Sequence, residues 1–565
     1  MAKKKTRLQT APAAGVLPVP AVERPSVLVP FLEKRSLLLA ICVIALGTLR
    51  VVSTYSETAL TWDEPGHMAC GLQYLAEHVY RYEAQHPPLA RVASAFGPYL
   101  SGARPLHTKN QDQEGVNVMY QSGHPGTMLT EMRLGILPFF VLSAAMLYLW
   151  ARRYFGGAAA VLSVALFTLV PTVLAHAGLA TTDTPLAGCF TAAFFALLVW
   201  AEEPTWLHSV LLGAATGLAV VSKFTVLGFL PAAAIFAALA WYAAARPGVN
   251  GAIAVAKARV LPFAAAVATG ALVIWAVYSF TWGKPPGWNF SVPAPSLFDG
   301  VNFALYHNSR GHAAYFMGEV RNTGWWYFFP VLLLVKTPIA WLVLVLFGIG
   351  VCFARQGQAA YWMPVAFAAG ILVPSMTSHV NIGLRHILPI FSGLAILAGI
   401  GLLKLIEDAP RKKWAGALTM LLPLWLMVSG ALQHPNYLAY FNELAGDHPE
   451  RIVVDSDLDW GQDTIRLAHR LKQLGATQVN YNTLNLTPER LVVWPGLPPV
   501  QGIRALHPAE GWTAVSPTLL AVQEYGLNHQ NPNIHPWFTY LQPQERVGSL
   551  TLYYVPPGSI PPDLR

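Results

Sequence analysis

Apolar runs long enough to cross a bilayer recur along the chain, and most are closed by charge, proline or a polar turn. Ser36–Ser53 follows Glu33-Lys34-Arg35, and Met132–Trp150 ends at Arg152-Arg153. Ala158–Ala175, Pro185–Ala201, Leu207–Ser222, Phe224–Tyr242 and Val260–Tyr278 come next. Pro338–Phe353, Ala360–Pro374, His386–Leu403 and Trp414–Ala431 complete the series. A spanning helix needs about 20 mostly apolar residues, so the pattern predicts about 11 spans. Trp325–Val335 is also apolar and leaves the count open by one.

With the basic N-terminus placed in the cytoplasm, alternate counting puts Arg152-Arg153, Arg246, Arg355 and Arg411–Lys413 inside as well, as the positive-inside rule requires. The loop at 54–131, the short loop His176–Thr184, the loop Thr281–Gly324 and everything from Gln433 then lie outside. Three regions are expected: a basic, Pro/Ala-rich cytoplasmic segment at 1–35, a membrane domain at 36–432 and an extracytoplasmic domain at 433–565. In the last of these, charge and proline return. Arg451–Val454, Gln478–Tyr481, Thr513–Ser516 and Ser549–Val555 read as strands, and Asp463–Leu474 carries helical apolar spacing. The fold class is therefore a polytopic α-helical membrane protein with a small C-terminal α/β domain.

Composition agrees. Of 565 residues, 54% are apolar and 12% charged, against roughly 25% charged in soluble domains. So few charges cannot cover a soluble globule of this apolarity. The net charge of +8 belongs to topology rather than nucleic acid, and no nucleic-acid partner is expected. Cys42, Cys70, Cys189 and Cys352 show neither disulfide nor zinc spacing.

Candidate chemistry lies in the outside loops. Asp63 and Glu64 stand together just past the first span. A carboxylate beside apolar surface suits proton abstraction from a hydroxyl, whereas the plain structural alternative is a helix N-cap with Pro65 in the first turn. His86 precedes Pro87-Pro88, and Asp183 sits in the short loop before the fourth span, where a cap is again the alternative. Lys223, Lys336, Arg385 and His386 lie at outer span ends, against the positive-inside trend. One ligand that explains several cations there is a lipid phosphate. Asp455-Ser456-Asp457-Leu458-Asp459 opens like a calcium loop, but Trp460 and Arg466 stand at the positions that need Gly and Glu. These carboxylates are expected to cap or surround the helix at Asp463. No Gly-rich phosphate loop and no G-x-S-x-G turn is present.

Trp62-Asp63-Glu64-Pro65, His86-Pro87-Pro88-Leu89, Thr182-Asp183 and Ser222-Lys223-Phe224-Thr225 together resemble the GT-C membrane glycosyltransferases. Within them the resemblance is to the protein O-mannosyltransferase-like branch and its bacterial aminoarabinose-transferring relatives. Lys336-Thr337-Pro338, Asn381-Ile382-Gly383-Leu384-Arg385-His386, Tyr440-Phe441-Asn442-Glu443-Leu444 and Leu458-Asp459-Trp460-Gly461-Gln462-Asp463 extend it, from about residue 35 to 555.

The resemblance implies an inverting transferase that takes a sugar from a polyprenyl phosphate, with its site facing away from the cytoplasm, in a bacterial inner membrane. It implies Asp63 as general base. Lys223 and Arg385, with His86, would serve the donor phosphate, and Glu64 and Asp183 would position the acceptor or Asp63. The acceptor would be a lipid, glycan or protein hydroxyl, but the tail is not the β-trefoil of eukaryotic O-mannosyltransferases, which counts against protein. No cofactor is expected, and a divalent cation would find at most weak binding at Asp63 and Glu64. A transporter or flippase is the competing class. It predicts inverted repeats and charges near the midplane, whereas no repeat is visible and the charges cluster at outer span ends.

Overall fold

The computed structural model describes residues 28–80, 82, 84–482 and 496–560. Helix α1 (Leu28–Lys34) meets α2 (Ser36–Val52) at an 83° bend. A cluster of three shorter helices follows, α3 (Glu64–Glu77), α4 (Pro88–Leu100) and α5 (Gln111–Gln121). Its own core is built from Met68, Leu72, Met119, Met132 and Ile136. The expected 54–131 loop is thus mostly helical. Gly115 is required there, because a Cβ would lie 2.1 Å from the Pro65 carbonyl. That close approach clamps the start of α3, where Asp63 stands.

Helix α6 (Pro125–Phe167) has 43 residues, about 65 Å at 1.5 Å per residue, roughly twice a hydrocarbon core. It is two helices broken at Gly156, whose φ of 87° suits glycine. The Glu33 carboxylate accepts from the Gly157 and Ala158 amides at 2.8 and 2.7 Å, satisfying the donors exposed at the break. The bundle continues through α7 (Pro171–Ala177), α8 (Asp183–Glu202), α9 (Trp206–Val220), α10 (Val226–Ala245) and α11 (Gly248–Val277). After the short hairpin β1 (Trp282–Gly283) and β2 (Val292–Pro293) come α12 (Pro295–Arg310) and a second hairpin, β3 (Ala314–Phe316) with β4 (Glu319–Arg321). Then follow α13 (Phe328–Val335), α14 (Ile339–Ala354), α15 (Ala359–Ser375), α16 (Ile390–Asp408) and α17 (Lys413–Leu432).

Among the described residues, six helices are long and apolar enough to cross a membrane, and eight segments are if each bent pair counts as one. α9 and α15 are shorter apolar helices. Each predicted apolar run falls on one of these helices or on half of α6, except that Ala158–Ala175 runs from the second half of α6 through a turn into α7. The ambiguous Trp325–Val335 stretch becomes α13, eight residues long, about 12 Å, and too short to cross alone. It bends 113° into α14. The bundle centre is α16, 78% of whose apolar window is buried, against 11% for the peripheral α11. Trp150, Phe190, Phe194, Phe367 and Trp341 fill the space around it.

In the tail, α18 (Thr464–Gln473) and α19 (Pro517–Gln530) accompany a five-stranded sheet. Its strands are β5 (Val479–Asn482), β6 (Val500–Gly502), β7 (Gly511–Val515), β8 (Glu545–Val547) and β9 (Leu550–Val555), in the order β6-β5-β7-β9-β8. β5 is parallel to β6 and β7, and the β7-β9-β8 half is antiparallel. The expected strand at Arg451–Val454 is not one. Pro449 opens a 3-10 turn, Asp455 takes a positive φ of 61°, and only Val453 pairs, by a single bridge to Phe316. Tyr437, Leu438, Val453 and Trp460 belong to the same core as the membrane helices, whereas the sheet has a separate one. The first thirty residues after α17 are therefore built into the bundle.

Candidate active site

Asp63 occupies the N-cap position of α3 with helical φ and ψ (−82°, −23°), and its side chain makes no cap hydrogen bond. The carboxylate turns the other way. Its Oδ2 accepts from Arg385 Nη1 at 2.8 Å, and the side chain remains 27% exposed. A residue kept only for capping would bond the first turn, so the cap alternative fails on geometry. Arg385 comes from the 3-10 turn Leu384–Ile387 just before α16. It also lies 3.6 Å from Asp183 Oδ2. Asp183, the first residue of α8, accepts from Lys223 Nζ at 2.5 Å. Lys223 is held in the tight turn between α9 and α10, and Leu89 N bonds the Val221 carbonyl of that turn, drawing the start of α4 against it. The result is an alternating chain of charges, Lys223, Asp183, Arg385, Asp63, gathered from four separate parts of the sequence.

Burial pushes the Asp63 carboxyl up, but Arg385, backed by His67 and His86, outweighs it and holds the group below the usual carboxylate range. His86 packs edge-on against His67 with centroids 5.1 Å apart and contacts Arg91 at 3.2 Å. Burial and the nearby Lys223 charge bring the His86 imidazole down to about 4. Burial, with Lys223 and Arg385, likewise holds His386 well below its ordinary value. Both are therefore neutral at pH 7.

Beside this chain lies a cavity of about 550 Å³. Its polar end is formed by His86, Lys223 and His386, and its apolar walls by Leu227 and Phe229 of α10, Val301 and Leu305 of α12 and Phe329 of α13. A cation, Lys223, with two neutral imidazoles at one end of a greasy slot suits an amphiphile with an anionic head.

Two expected site residues point elsewhere. Glu64 is fully buried and accepts from Arg133 Nε and Nη2 at 2.9 Å each, from the Thr61 amide and hydroxyl at 2.9 and 3.1 Å, and from Ala180 N at 2.8 Å. Both oxygens are spent on protein groups, so Glu64 braces the loop and does not meet an acceptor or share a cation with Asp63. Among the described residues no group of three or more His, Cys, Asp or Glu could hold a metal ion. Lys336 donates to the carbonyls of Leu438 (2.8 Å) and Asp457, and its ammonium sits 4.3 Å from the Phe441 ring. It fastens the tail to the bundle rather than lining the cavity.

The carboxylates expected to cap the Asp463 helix are dispersed. Asp457 accepts from Leu384 N at 3.1 Å, Asp459 from Ser516 and Gly461, and Asp463 from Ser549 N at 2.8 Å; Asp463 also pairs with the Arg466 side chain in the first turn of α18 but makes no cap bond to its backbone. Two residues of this segment escaped sequence reasoning. Ser456 Oγ accepts from Arg385 Nε at 3.1 Å, and the Trp460 ring lies 4.1 Å under the guanidinium. The dense run of acids at 455–463 was the available signal, and it pointed to a helix cap instead.

Residues 126–275 match the family described as dolichyl-phosphate-mannose-protein mannosyltransferase. No curated protein sequence matches the chain. Among solved structures, ArnT from Cupriavidus metallidurans bound to undecaprenyl phosphate is similar, with 13% identity and a TM-score of 0.50, over 91% of this chain and 97% of that one. The Archaeoglobus fulgidus oligosaccharyltransferase matches at 13% identity and a TM-score of 0.46, over 84% of this chain and 62% of that one. The S. cerevisiae Pmt1-Pmt2 complex bound to its sugar donor matches at 17% identity and a TM-score of 0.34, over 48% and 38%. This chain is thus a multi-pass membrane protein with the GT-C glycosyltransferase fold, matching the mannosyltransferase family at residues 126–275.

Proposed function

We propose that the protein transfers a sugar from a polyprenyl-phosphate donor to an acceptor hydroxyl, with inversion, on the extracytoplasmic face of a bacterial inner membrane. The observation that carries this reading is the carboxylate of Asp63, freed from its cap position and set beside a cation-ended apolar cavity. The cavity takes the phosphate and the first isoprene units, and the remaining prenyl chain lies in the bilayer along α10. The acceptor oxygen attacks the anomeric carbon as its bond to the phosphate oxygen breaks, and Asp63 takes the proton. Lys223 and Arg385 stabilise the charge gathering on the departing prenyl phosphate. Neutral His86 and His386 add hydrogen-bonding capacity without further charge.

Sidedness has independent support. α8 carries Asp183 and Glu202 at the two ends of its 20 residues, a helix about 30 Å long. Glu202 pairs with Arg153 at 2.7 Å, so the basic Arg152-Arg153 end lies across the membrane from the site. Basic ends face the cytoplasm.

The test compares membrane lipids and envelope glycans, by mass spectrometry, from cells with the gene, without it, and with Asp63→Asn. The expected result is accumulation of one sugar-charged polyprenyl phosphate and loss of one glycan mass in the last two strains. An unchanged lipid-linked sugar pool in both would refute the proposal.

A further inference from the structure

A second cleft, about 660 Å³, opens between the β3–β4 hairpin and α19 of the tail. Its lining includes Tyr315, Tyr525, Glu450, Glu524, Arg451 and Asn528. Nothing in the transfer chemistry described above uses it. Tyr525 packs on His529 with centroids 4.1 Å apart and the rings tilted by 38°, which fixes one aromatic wall. The carboxylates on the rim already have partners: Glu450 has Arg546 at 3.2 Å and His448 at 2.9 Å, and Glu524 has His535 at 3.4 Å. Glu319 pairs with Arg321 at 2.5 Å, and with Arg451 in the lining the acidic and basic groups around the cleft are nearly balanced, which disfavours a strongly ionic ligand. Asn528 Oδ1, in contrast, is a buried acceptor with no hydrogen-bond partner among the described residues. A buried acceptor left without a donor is costly and calls for one. Aromatic faces, carboxylate oxygens that still hold lone pairs and an unmet amide acceptor describe a surface for a neutral molecule rich in hydroxyl donors.

The cleft is tied mechanically to the active site. Arg451 lines it, and Ser456, five residues on, bonds Arg385. That stretch reaches at most about 18 Å. It is held at both walls, by Met317 N to the Ile452 carbonyl at 2.8 Å and by Asp455 N to Thr518 Oγ1 at 2.9 Å.

We infer that this cleft is an acceptor subsite for the saccharide portion of the acceptor, one that holds a neutral oligosaccharide while its terminal hydroxyl reaches Asp63. This inference rests on the proposed transfer reaction for its purpose, but not for its binding. The experiment uses the full chain in nanodiscs and saturation-transfer-difference NMR with maltotetraose, mannotetraose and chitotetraose, and tetra-alanine as the peptide comparison. At least one saccharide should be saturated, and tetra-alanine should not. Binding should weaken at least tenfold in Tyr525→Ala and in Asn528→Leu, whichever of them keeps the wild-type melting temperature, and should persist in Asp63→Asn. Transfer of the lipid-linked sugar to water, measured on the same samples, should survive both cleft variants and fail in Asp63→Asn. Saccharide binding without any sugar release would refute the transfer reaction and leave the subsite standing. No saturation of any of the three, saturation of tetra-alanine instead, or unchanged binding in every folded cleft variant would overturn the subsite.

Discussion

Arg385 Nη1 stands 2.8 Å from Asp63 Oδ2 across 322 residues of sequence. The guanidinium therefore occupies the carboxylate that the proposed reaction uses as base, and it holds that carboxylate below its usual range. On the proposed reaction a donor phosphate would compete for the same guanidinium, and donor binding would then raise the basicity of Asp63.

Asp63→Asn preserves shape and still accepts from Arg385, so the melting temperature should stay within a few degrees of wild type. The transfer rate should fall about 10²–10⁴-fold, the usual worth of a positioned base. Thermal stability and sugar transfer measured on one nanodisc sample decide the point. A fully active variant would remove Asp63 from the chemistry.

Glu64→Gln should reverse that pattern. Removing one member of a buried, hydrogen-bonded ion pair costs about 3–5 kcal/mol, and Arg133 is fully buried. The variant should melt far below wild type, while the molecules that remain folded keep most of their rate. Loss of rate without loss of stability would return Glu64 to the reacting site.

Lys223→Met strands Asp183 in the interior, whereas Lys223→Met with Asp183→Asn removes both charges. The double variant should regain much of the stability that the single variant loses. It should still show a donor KM raised ten- to a hundredfold, because a charge-assisted bond is worth roughly 1.5–3 kcal/mol. A double variant with normal donor kinetics would confine the pair to a structural role.

For His86 the sign follows from a folded pKa of about 4 against 6.5 for the free side chain. Between those values the unfolded chain binds a proton that the folded chain refuses, so stability falls as pH drops from 6.5 toward 4. His86→Gln should flatten that decline in melting temperature. Asp455, pushed up to about 6 by burial, acts in the opposite sense, but it is common to both proteins and cancels in the difference. Parallel curves for the two proteins would show that His86 titrates normally.

The apolar runs were legible because span length and composition are local properties, and even the Gly156 break falls in the gap between two of them. Asp63 was legible as one of two acids in a charge-poor chain. Its difference from Glu64 was not, because adjacent residues at a helix start point in different directions and only the positions of Arg133 and Arg385 tell which faces the site. Lys336 misled for a related reason. A cation at a span end reads the same whether it meets a phosphate or the carbonyls of Leu438 and Asp457. A helix start at Asp63–Pro65 was legible as the cap alternative, but the packing of α3, α4 and α5 into one cluster and the β3–β4 hairpin were not, because they depend on partners distant in sequence.

The segment that supplies Ser456 and Trp460 to Arg385 comes after the last membrane helix, yet it belongs to the bundle core. A chimera that exchanges tails between relatives at residue 432 would therefore remove the back wall of Arg385 along with the sheet. The natural graft point lies beyond Asp463. A sheet and α19 grafted there would have to bring back the partners now supplied by Thr518, Ser516 and Ser549 to Asp455, Asp459 and Asp463, because these bonds keep Ser456 and Trp460 in register with Arg385.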